Sequence, residues 1–261
     1  MQHGADQGIG AHAYAAFTLW SLGFPDRARC RVREAVLLAR SLALPVTIAL
    51  VLLWQTMLHW LLGDVEAQRE LAEELAPLSE SEGLPFFLGL ARAFRGAALA
   101  ASGNGQGGMK DLTEGLALLA GTGNQSGTPS LLALLAETQA SAGQHAEALA
   151  TLTRALAVSA QTRQPFWDAE LLRLQGEMLV ESRAADAADA EHCFRQALTI
   201  ARSQGAKSVE LRAATSLARF WRDRGRRAEA HALLAPVYAW FSEGFGTRDL
   251  LEAKTLLEGL A

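Results

Sequence analysis

The sequence predicts an all-helical repeat protein, an α-solenoid of about six helix pairs followed by a further helix that caps its C-terminal end. Glycines recur at exact intervals of 40 residues, at Gly23, Gly63, Gly103 and Gly143. Prolines share that period, at Pro45, Pro85 and Pro165. Half of the residues are hydrophobic, and alanine and leucine, which favour helices, dominate among them. A period of about 40 residues is typical of stacked helical repeats.

Each recurring glycine follows one apolar helical stretch and precedes another. We therefore expect it in the turn within a helix pair, where a left-handed backbone is easiest without a Cβ atom. Gly225 lies 82 residues beyond Gly143, which is two further repeats with two inserted residues. The prolines are expected to open the first helix of a pair, since the first helical position needs no N–H group. Thr128 and Pro129 form a similar start.

The recurring glycines and prolines define the boundaries of the predicted helices in order. The predicted helix pairs span approximately residues 9–42, 45–81, 85–119, 129–160, 165–203 and 207–241, and the capping helix spans 247–260. We expect residues 1–261 to form a single repeat domain.

Small residues indicate where the helices of a pair pack closely. Ala148 and Ala155 lie seven residues apart in the second helix of one pair, and Ala136 lies in the first helix of that pair. This spacing resembles the tetratricopeptide repeat in a longer, 40-residue form. The resemblance implies a right-handed solenoid in which the first helix of each pair, helix A, lines a concave groove.

Two pairs depart from this pattern at the alanine positions. The second pair has Gln68 and Leu75 there, and the third has Gly108 and Gly115. We therefore expect looser packing within these pairs.

The two ends of the array differ in polarity. The last helix carries polar residues that give it a solvated outer face, as the cap of a solenoid requires: Arg248, Asp249, Glu252, Lys254 and Glu258. The first helix lies in a stretch without formal charge, from Gln7 to Pro25. We expect a neighbouring segment to cover it and therefore infer that something precedes this chain.

The charge balance disfavours nucleic acid as a partner. The chain has 24 basic and 28 acidic residues and a net charge of −4, so it offers no broad basic surface to phosphates. The basic turn at Arg222, Arg224, Arg226 and Arg227 is interpreted as a solvated turn.

The cysteines and the N-terminus favour a cytoplasmic location. Cys30 and Cys193 lie 163 positions apart, so neither a disulfide framework nor a zinc site is indicated. We expect both to be small helix-packing residues in a reducing compartment. Residues 1–7 lack the order of a secretory signal.

A stretch between Ser41 and Gly63 contains no charged residue and is long enough to cross a membrane. The repeat register makes it helix A of the second pair, so we expect a buried solenoid helix and no membrane partner.

Other motifs with possible chemistry have structural explanations. Residues 103–108 match G-x-G-x-x-G, but they occupy a predicted turn and follow no strand, as a phosphate loop would. Residues 186–193 contain Asp186, His192 and Cys193, but one helix points them in several directions. No metalloprotease or serine hydrolase motif occurs. We therefore expect no catalytic residue, no bound metal and no cofactor.

Helix-A positions one turn from the small residue should face the groove. These are Phe17, Trp20, Met57 and Trp60 in the first two pairs, and Glu137, Arg173, Glu177, Arg219 and Arg222 in the later pairs. The groove would be apolar at one end and charged at the other. We hypothesise that an apolar group of a partner packs on Trp20 and Trp60. The alternative is that both tryptophans are core residues or are covered by upstream helices.

Residues 190–202, 206–219 and 233–245 closely resemble the C-terminal repeat region of bacterial class III adenylate cyclase and predicted STAND-type ATPase regulators. The resemblance implies a non-catalytic scaffold or sensor that binds a protein or peptide, including the upstream ATPase or cyclase domains of the same polypeptide. Any enzymatic activity would belong to those domains, since neither a Walker lysine loop nor the cyclase aspartates occur here. The alternative is a sensor that binds a small-molecule inducer in the groove.

Overall fold

The computed structural model describes residues 7–124, 127–163, 165–182 and 187–260, and these residues form helices and turns without a β-strand. The α-helices are α1 (Gln7–Ser21), α2 (Pro25–Ser41), α3 (Pro45–Leu62), α4 (Val65–Ser81), α5 (Pro85–Ala101), α6 (Gly105–Gly121), α7 (Thr128–Ser141), α8 (His145–Thr162), α9 (Asp168–Ser182), α10 (Ala187–Gln204), α11 (Lys207–Arg222), α12 (Arg227–Ala239) and α13 (Arg248–Leu260). The all-α solenoid class, with six helix pairs and a closing helix, is confirmed.

The helices are arranged as two compact units. Unit 1 comprises residues 1–20 and 25–127, and unit 2 comprises residues 21–24 and 128–261. In unit 1, α3 contacts α4 and α5; in unit 2, α9 contacts α7, α8, α10 and α11. The first helices α3 and α9 therefore each contact both their own partner and the next first helix, as in a stack of repeats. That residues 1–261 act as a single domain remains a prediction.

The turn glycines have the predicted left-handed conformation. The φ angles are positive at Gly23 (89°), Gly63 (70°), Gly103 (93°), Gly143 (77°) and Gly225 (78°).

A second series of left-handed residues follows the same period in the turns between pairs. It consists of Ala43, Gly83, Gly123, Arg163 and Gly205. Two of its members, Ala43 and Arg163, are not glycines, so a search for recurring glycines does not detect the whole series.

The prolines open helices in two of the three predicted cases. Pro45 and Pro85 stand at the first position of α3 and α5. Pro165 instead begins a short 3-10 helix, Pro165–Trp167, and α9 follows from Asp168.

Helices α5 and α6 approach each other closely at glycine residues. A Cβ atom on Gly96 would lie 2.5 Å from the carbonyl oxygen of Gly108, and one on Gly115 would lie 2.5 Å from that of Gly89. The expectation of looser packing at Gly108 and Gly115 is therefore wrong, because glycine lets the backbones meet. Gln68 is also buried, and its side-chain amide donates to the carbonyl of Phe94 at 2.7 Å.

Helix α3 is built into unit 1 and packs against α2, α4 and α5. Among the described residues it is the one helix that is long and apolar enough to cross a membrane, and half of it is buried. A core helix of a repeat protein meets the same criterion, since it is apolar on most sides.

Unit 2 has a continuous core formed by α10 to α13. Its larger members include Phe194, Leu217, Trp221, Leu234 and Leu256. This core supports α11, most of which is buried.

Two predictions about individual side chains are wrong. Cys193 is buried, as expected, but Cys30 is exposed, because it lies midway between the buried positions Ala28 and Val32 and so faces the opposite side of α2. On α13, Asp249 does not belong to the solvated face: its carboxylate is 2.8 Å from the guanidinium of Arg212 on α11.

Candidate functional site

A network of buried charges lies on the helix-A side of unit 2, where α9, α11 and α13 meet. At its centre Glu170 accepts two hydrogen bonds from Arg173, at 3.0 and 2.7 Å, and one from Arg212, at 3.1 Å. Arg212 also donates to Asp249 at 2.8 Å. The network therefore joins three helices through charge-assisted hydrogen bonds.

The ionised state of Glu170 depends on its two arginine neighbours. Burial alone would raise the pKa of this carboxyl group, but the charges of Arg173 and Arg212 outweigh burial and lower it to about 2. Both arginine pKa values are raised by the carboxylates around them, against the effect of burial. The carboxyl group of Glu170 is therefore fully ionised at neutral pH.

A second layer of polar groups lies nearer the solvent. Glu177 accepts from Arg173 at 2.6 Å and from the hydroxyl of Ser216 at 2.8 Å. Arg219 donates to Glu252 at 3.2 Å, and both side chains are nearly half exposed. These groups can exchange their present partners for a ligand more easily than the buried layer can.

Two adjoining clefts open on this surface. The first, here called the arginine cleft, has a volume of about 50 Å³ and is lined by Arg173, Glu177, Arg212, Thr215, Ser216, Arg219, Arg248, Asp249 and Glu252. The second, the phenylalanine cleft, has a volume of about 220 Å³ and is lined by Glu177, Val180, Glu181, Phe194, Ser216, Arg219, Phe220, Asp223 and Arg224. They share Glu177, Ser216 and Arg219, so one ligand could contact both.

The structure brings together three of the five charged residues predicted for the groove. Arg173, Glu177 and Arg219 line the arginine cleft. Glu137 on α7 is half-buried, and its charge contributes to the raised pKa of Arg173. Arg222 lines neither cleft and pairs with Asp223 at 2.8 Å. A binding role for these residues remains a prediction.

The aromatic residues predicted for the groove lie in unit 1. Trp20 is only 2% exposed, which favours the alternative that it is a core residue. Phe17 lies between Trp20 and Trp54, with ring centroids 6.0 and 5.7 Å away. Trp60 is half-buried and lies 5.9 Å from the ring of Phe94. Met57 is also half-buried.

Sequence reasoning missed two members of this aromatic group. Tyr14 is 59% exposed, and its ring centroid lies 4.3 Å from that of Trp54. The indole Nε1 of Trp54 is buried and has no hydrogen-bond partner among the described residues. Tyr14 and Trp54 are 40 residues apart, so a search for aromatics in phase with the repeat would have found them.

In unit 2, sequence reasoning missed Glu170, Arg212 and Asp249. Glu170 and Arg212 each lie six residues before the small residue of their helix, Gly176 and Ala218. Opposite charges at equivalent positions of neighbouring repeats are the signal that could have identified them.

The other motifs have structural roles. In the glycine-rich stretch, the side chain of Asn104 accepts from the N–H of Gly107 at 3.1 Å and so caps α6. In the basic turn, Arg226 pairs with Glu191 at 3.0 Å and with Glu229 at 2.8 Å.

Within the described residues, no group of three side chains that could hold a metal ion occurs, near α10 or elsewhere. Asp186 lies outside those residues.

Comparison with solved structures places this geometry in a known fold. A Rap protein complexed with competence and sporulation factor aligns with a TM-score of 0.63 at 12% identity, over 98% of this chain and 88% of that protein. The quorum sensor NprR from B. thuringiensis aligns with a TM-score of 0.58 at 11% identity, over 97% of this chain and 70% of the other. A signal transduction ATPase with a tetratricopeptide repeat sensor, from Pyrococcus horikoshii, aligns with a TM-score of 0.53 at 14% identity, over 97% of this chain and 38% of that protein.

The fold is that of tetratricopeptide-type repeat proteins. Identities of this size establish the fold alone. Neither a protein-family model nor a curated protein matches the chain.

Proposed function

We propose that this chain is a non-catalytic scaffold or sensor that binds an extended segment of a protein or peptide on the helix-A face of unit 2. The observation that carries the proposal is the pair of adjoining clefts on α9, α11 and α13, above a network of fixed charges. Side chains held by buried ion pairs lose little further freedom when a ligand binds, which favours affinity. Arg219 and Glu252 supply exchangeable charges at the rim.

The fold neighbours support this type of activity. They include a Rap protein in complex with a competence and sporulation factor, a quorum sensor, and the sensor repeats of a signal transduction ATPase. A helical repeat surface of this kind offers an extended area rather than a deep catalytic pocket.

We further propose that the chain is the C-terminal repeat part of a cytoplasmic, bacterial multidomain signalling ATPase or nucleotide cyclase. The resemblance of residues 190–245 to such regulators supports this, as does the fold likeness to a repeat sensor that occupies only part of an ATPase. The partner would then include the upstream domains of the same polypeptide. Regulation requires that the segment bind two states of those domains with different affinities.

A small-molecule inducer is the second candidate ligand. The phenylalanine cleft, at about 220 Å³, is smaller than the range of about 300–1,000 Å³ that is usual for small-ligand sites, so an inducer held there would be a small one.

Fluorescence polarisation with the purified chain and labelled hexapeptide pools tests the proposal. We expect saturable binding that Arg219→Glu weakens at least about tenfold, since it removes a cation shared by both clefts. Arg154→Glu is the matched control, because Arg154 is an exposed residue of α8 in the same unit.

Absence of binding by every pool, or equal affinity in both variants, would contradict the proposal. Calorimetric titration with bacterial metabolites separates the second candidate, for which metabolites bind and peptides do not.

A further inference from the structure

The second helices of the first two pairs, α2 and α4, form one outer face of unit 1 in matching register. Each of the five buried residues of α4 lies 40 positions after a buried residue of α2. The helices are side by side, since Arg40 lies 2.6 Å from Glu74, and they run in the same direction because α3 reverses the chain between them. An exposed residue of α2 is therefore matched by the residue 40 positions later on α4.

The two helices of this face carry opposite charges. Helix α2 contains five arginines and two acidic residues, whereas α4 contains five glutamates and one arginine. Arg33 on α2 and both Glu70 and Glu80 on α4 are exposed. Their side chains make no hydrogen bond or ion pair with any residue that the structure describes. The face thus presents charges of both signs that are not paired within the chain.

Exposed apolar residues lie among these charges. Leu37, between Arg33 and Arg40 on the exposed side of α2, is 69% exposed, and Leu38 and Leu42 are nearly half exposed. These three leucines are a third of the nine large exposed hydrophobic residues in the described part of the chain. Apolar surface that is surrounded by charged residues is typical of a contact with another protein.

A second copy of the chain complements this face. Closed dimers of identical chains have two-fold symmetry, so the same surface of both copies meets. When the axis lies between α2 and α4 and is parallel to them, α2 of one copy lies on α4 of the other. Arg33 then lies opposite the partner's Glu73 and one turn from the partner's Glu70, and Leu37 lies opposite the partner's Pro77.

The charges select this arrangement over the other two-fold packing of the same helices. An axis perpendicular to the helices would place the acidic α4 on itself, and like charges at short distance repel. In the parallel arrangement Arg40 lies opposite the partner's Glu80. Glu34 and the partner's Glu74 oppose each other, but each is already paired with an arginine of its own copy, Glu34 with Arg31 and Glu74 with Arg40.

The size of the face indicates a weak, reversible dimer. Each of the two helices has 17 residues, which corresponds to a length of about 26 Å and a width of about 10 Å. Two such helices cover about 500 Å² on each copy, or about 1,000 Å² in total, which is near the lower limit for a specific interface.

We infer that this chain forms a two-fold symmetric dimer in which the outer faces of α2 and α4 pack on the same faces of a second copy. The face consists of second helices of unit 1, whereas the proposed function uses the helix-A face of unit 2. The dimer and the proposed function are therefore tested independently.

Sedimentation velocity of the purified chain over a concentration series tests the dimer. We expect reversible association with a dissociation constant of about 10–100 μM, in keeping with the small interface, and weaker association in high salt. Leu37→Gln should weaken it at least about fivefold, because the apolar contact is lost from both halves of the interface. Cys30 lies on the same face and is exposed in one copy, so its reaction with a thiol reagent should slow as the protein concentration rises.

The charge-reversal variants Arg33→Glu and Glu70→Arg give the sharpest comparison, since neither residue is paired within its own chain. Each variant alone should associate at least about tenfold more weakly, because like charges then meet at two symmetric places. An equimolar mixture of the two should associate again, because each copy offers the charge that the other lacks. Arg154→Glu and Glu147→Arg, on the exposed side of α8, are the matched controls and should behave as wild type, alone and mixed.

Three results would overturn the inference. They are a monomer at every concentration up to about ten times the expected dissociation constant, association that Arg33→Glu and Leu37→Gln leave unchanged, and charge-reversal variants that do not associate when mixed. Circular dichroism melts verify that every variant is folded, which the exposure of Arg33, Leu37 and Glu70 leads us to expect.

Discussion

Replacing Glu170 by glutamine tests whether the buried charge network holds α9, α11 and α13 together. The variant keeps the size of the side chain and an acceptor oxygen but removes the negative charge between Arg173 and Arg212. Both arginines are about 9% exposed, so their charges would lose the nearest compensation in a site that water hardly reaches. Breaking a buried ion pair on one side typically costs about 3–5 kcal/mol.

The pKa of Glu170 gives a similar magnitude. The pKa of Glu170 is lowered from 4.5 to about 2, and at 1.36 kcal/mol for each pKa unit this corresponds to about 3 kcal/mol in favour of the ionised folded state. We therefore expect Glu170→Gln to lower the free energy of unfolding by about 3 kcal/mol at pH 7.

The same group predicts the direction of a pH dependence. Because its pKa is lower in the folded state, its contribution is fully present above the unfolded value of about 4.5 and is lost as the pH falls towards 2. Wild-type stability should therefore decline over this range, and the part due to Glu170 should be missing in the glutamine variant.

Urea unfolding followed by circular dichroism at pH 7 and at pH 3 measures both effects. Glu258→Gln on the exposed side of α13 is the control and should change stability little. A loss below about 1 kcal/mol at pH 7, or an unchanged pH dependence in Glu170→Gln, would refute the reasoning.

Three further predictions concern packing, backbone conformation and thiol reactivity. Gly96→Ala should lower the free energy of unfolding by about 1–3 kcal/mol, because its Cβ would meet the backbone of α6 at 2.5 Å. Gly121→Ala is the control, since no atom lies near the new Cβ. Equal urea midpoints for the two variants would contradict the prediction. Ala43→Gly should raise the free energy of unfolding by up to about 1 kcal/mol in the same assay, since Ala43 has a left-handed backbone. The control Ala157→Gly, within α8, should lower it. A lower free energy of unfolding in Ala43→Gly would contradict the prediction. Cys30 is exposed and should react with a thiol reagent in the native state, while Cys193, which is buried and whose thiol pKa is raised by burial, should react only on unfolding. Reaction of both thiols at the same rate in the native state would contradict this prediction.

The fold was accessible from the sequence because the repeat places a glycine at the turn within five of the six pairs. Gly63 and Gly143 indicate a left-handed backbone, since glycine adopts this conformation without strain. The turns between pairs were harder to recognise, because Ala43 and Arg163 adopt the same backbone with a side chain present. The residue types alanine and arginine do not by themselves indicate a left-handed backbone.

The candidate site was only partly predictable. The register rule selected Arg173, Glu177 and Arg219 because it says which way a helical position faces. It missed Glu170 and Arg212, since charged residues are normally expected at the surface and their burial depends on a partner from another helix. The clefts likewise depend on how α9, α11 and α13 meet, which a periodic pattern in one helix does not encode.

Methyl NMR of Val180 tests the central claim most directly, because this side chain is exposed in the phenylalanine cleft. During titration with the tightest hexapeptide pool, its methyl resonances, assigned through a Val180→Ile variant, should shift and saturate at the same peptide concentration as the polarisation signal. Val158 on α8 should remain unchanged. Saturable peptide binding that leaves Val180 unmoved would contradict the claim that the helix-A face of unit 2 is the binding surface.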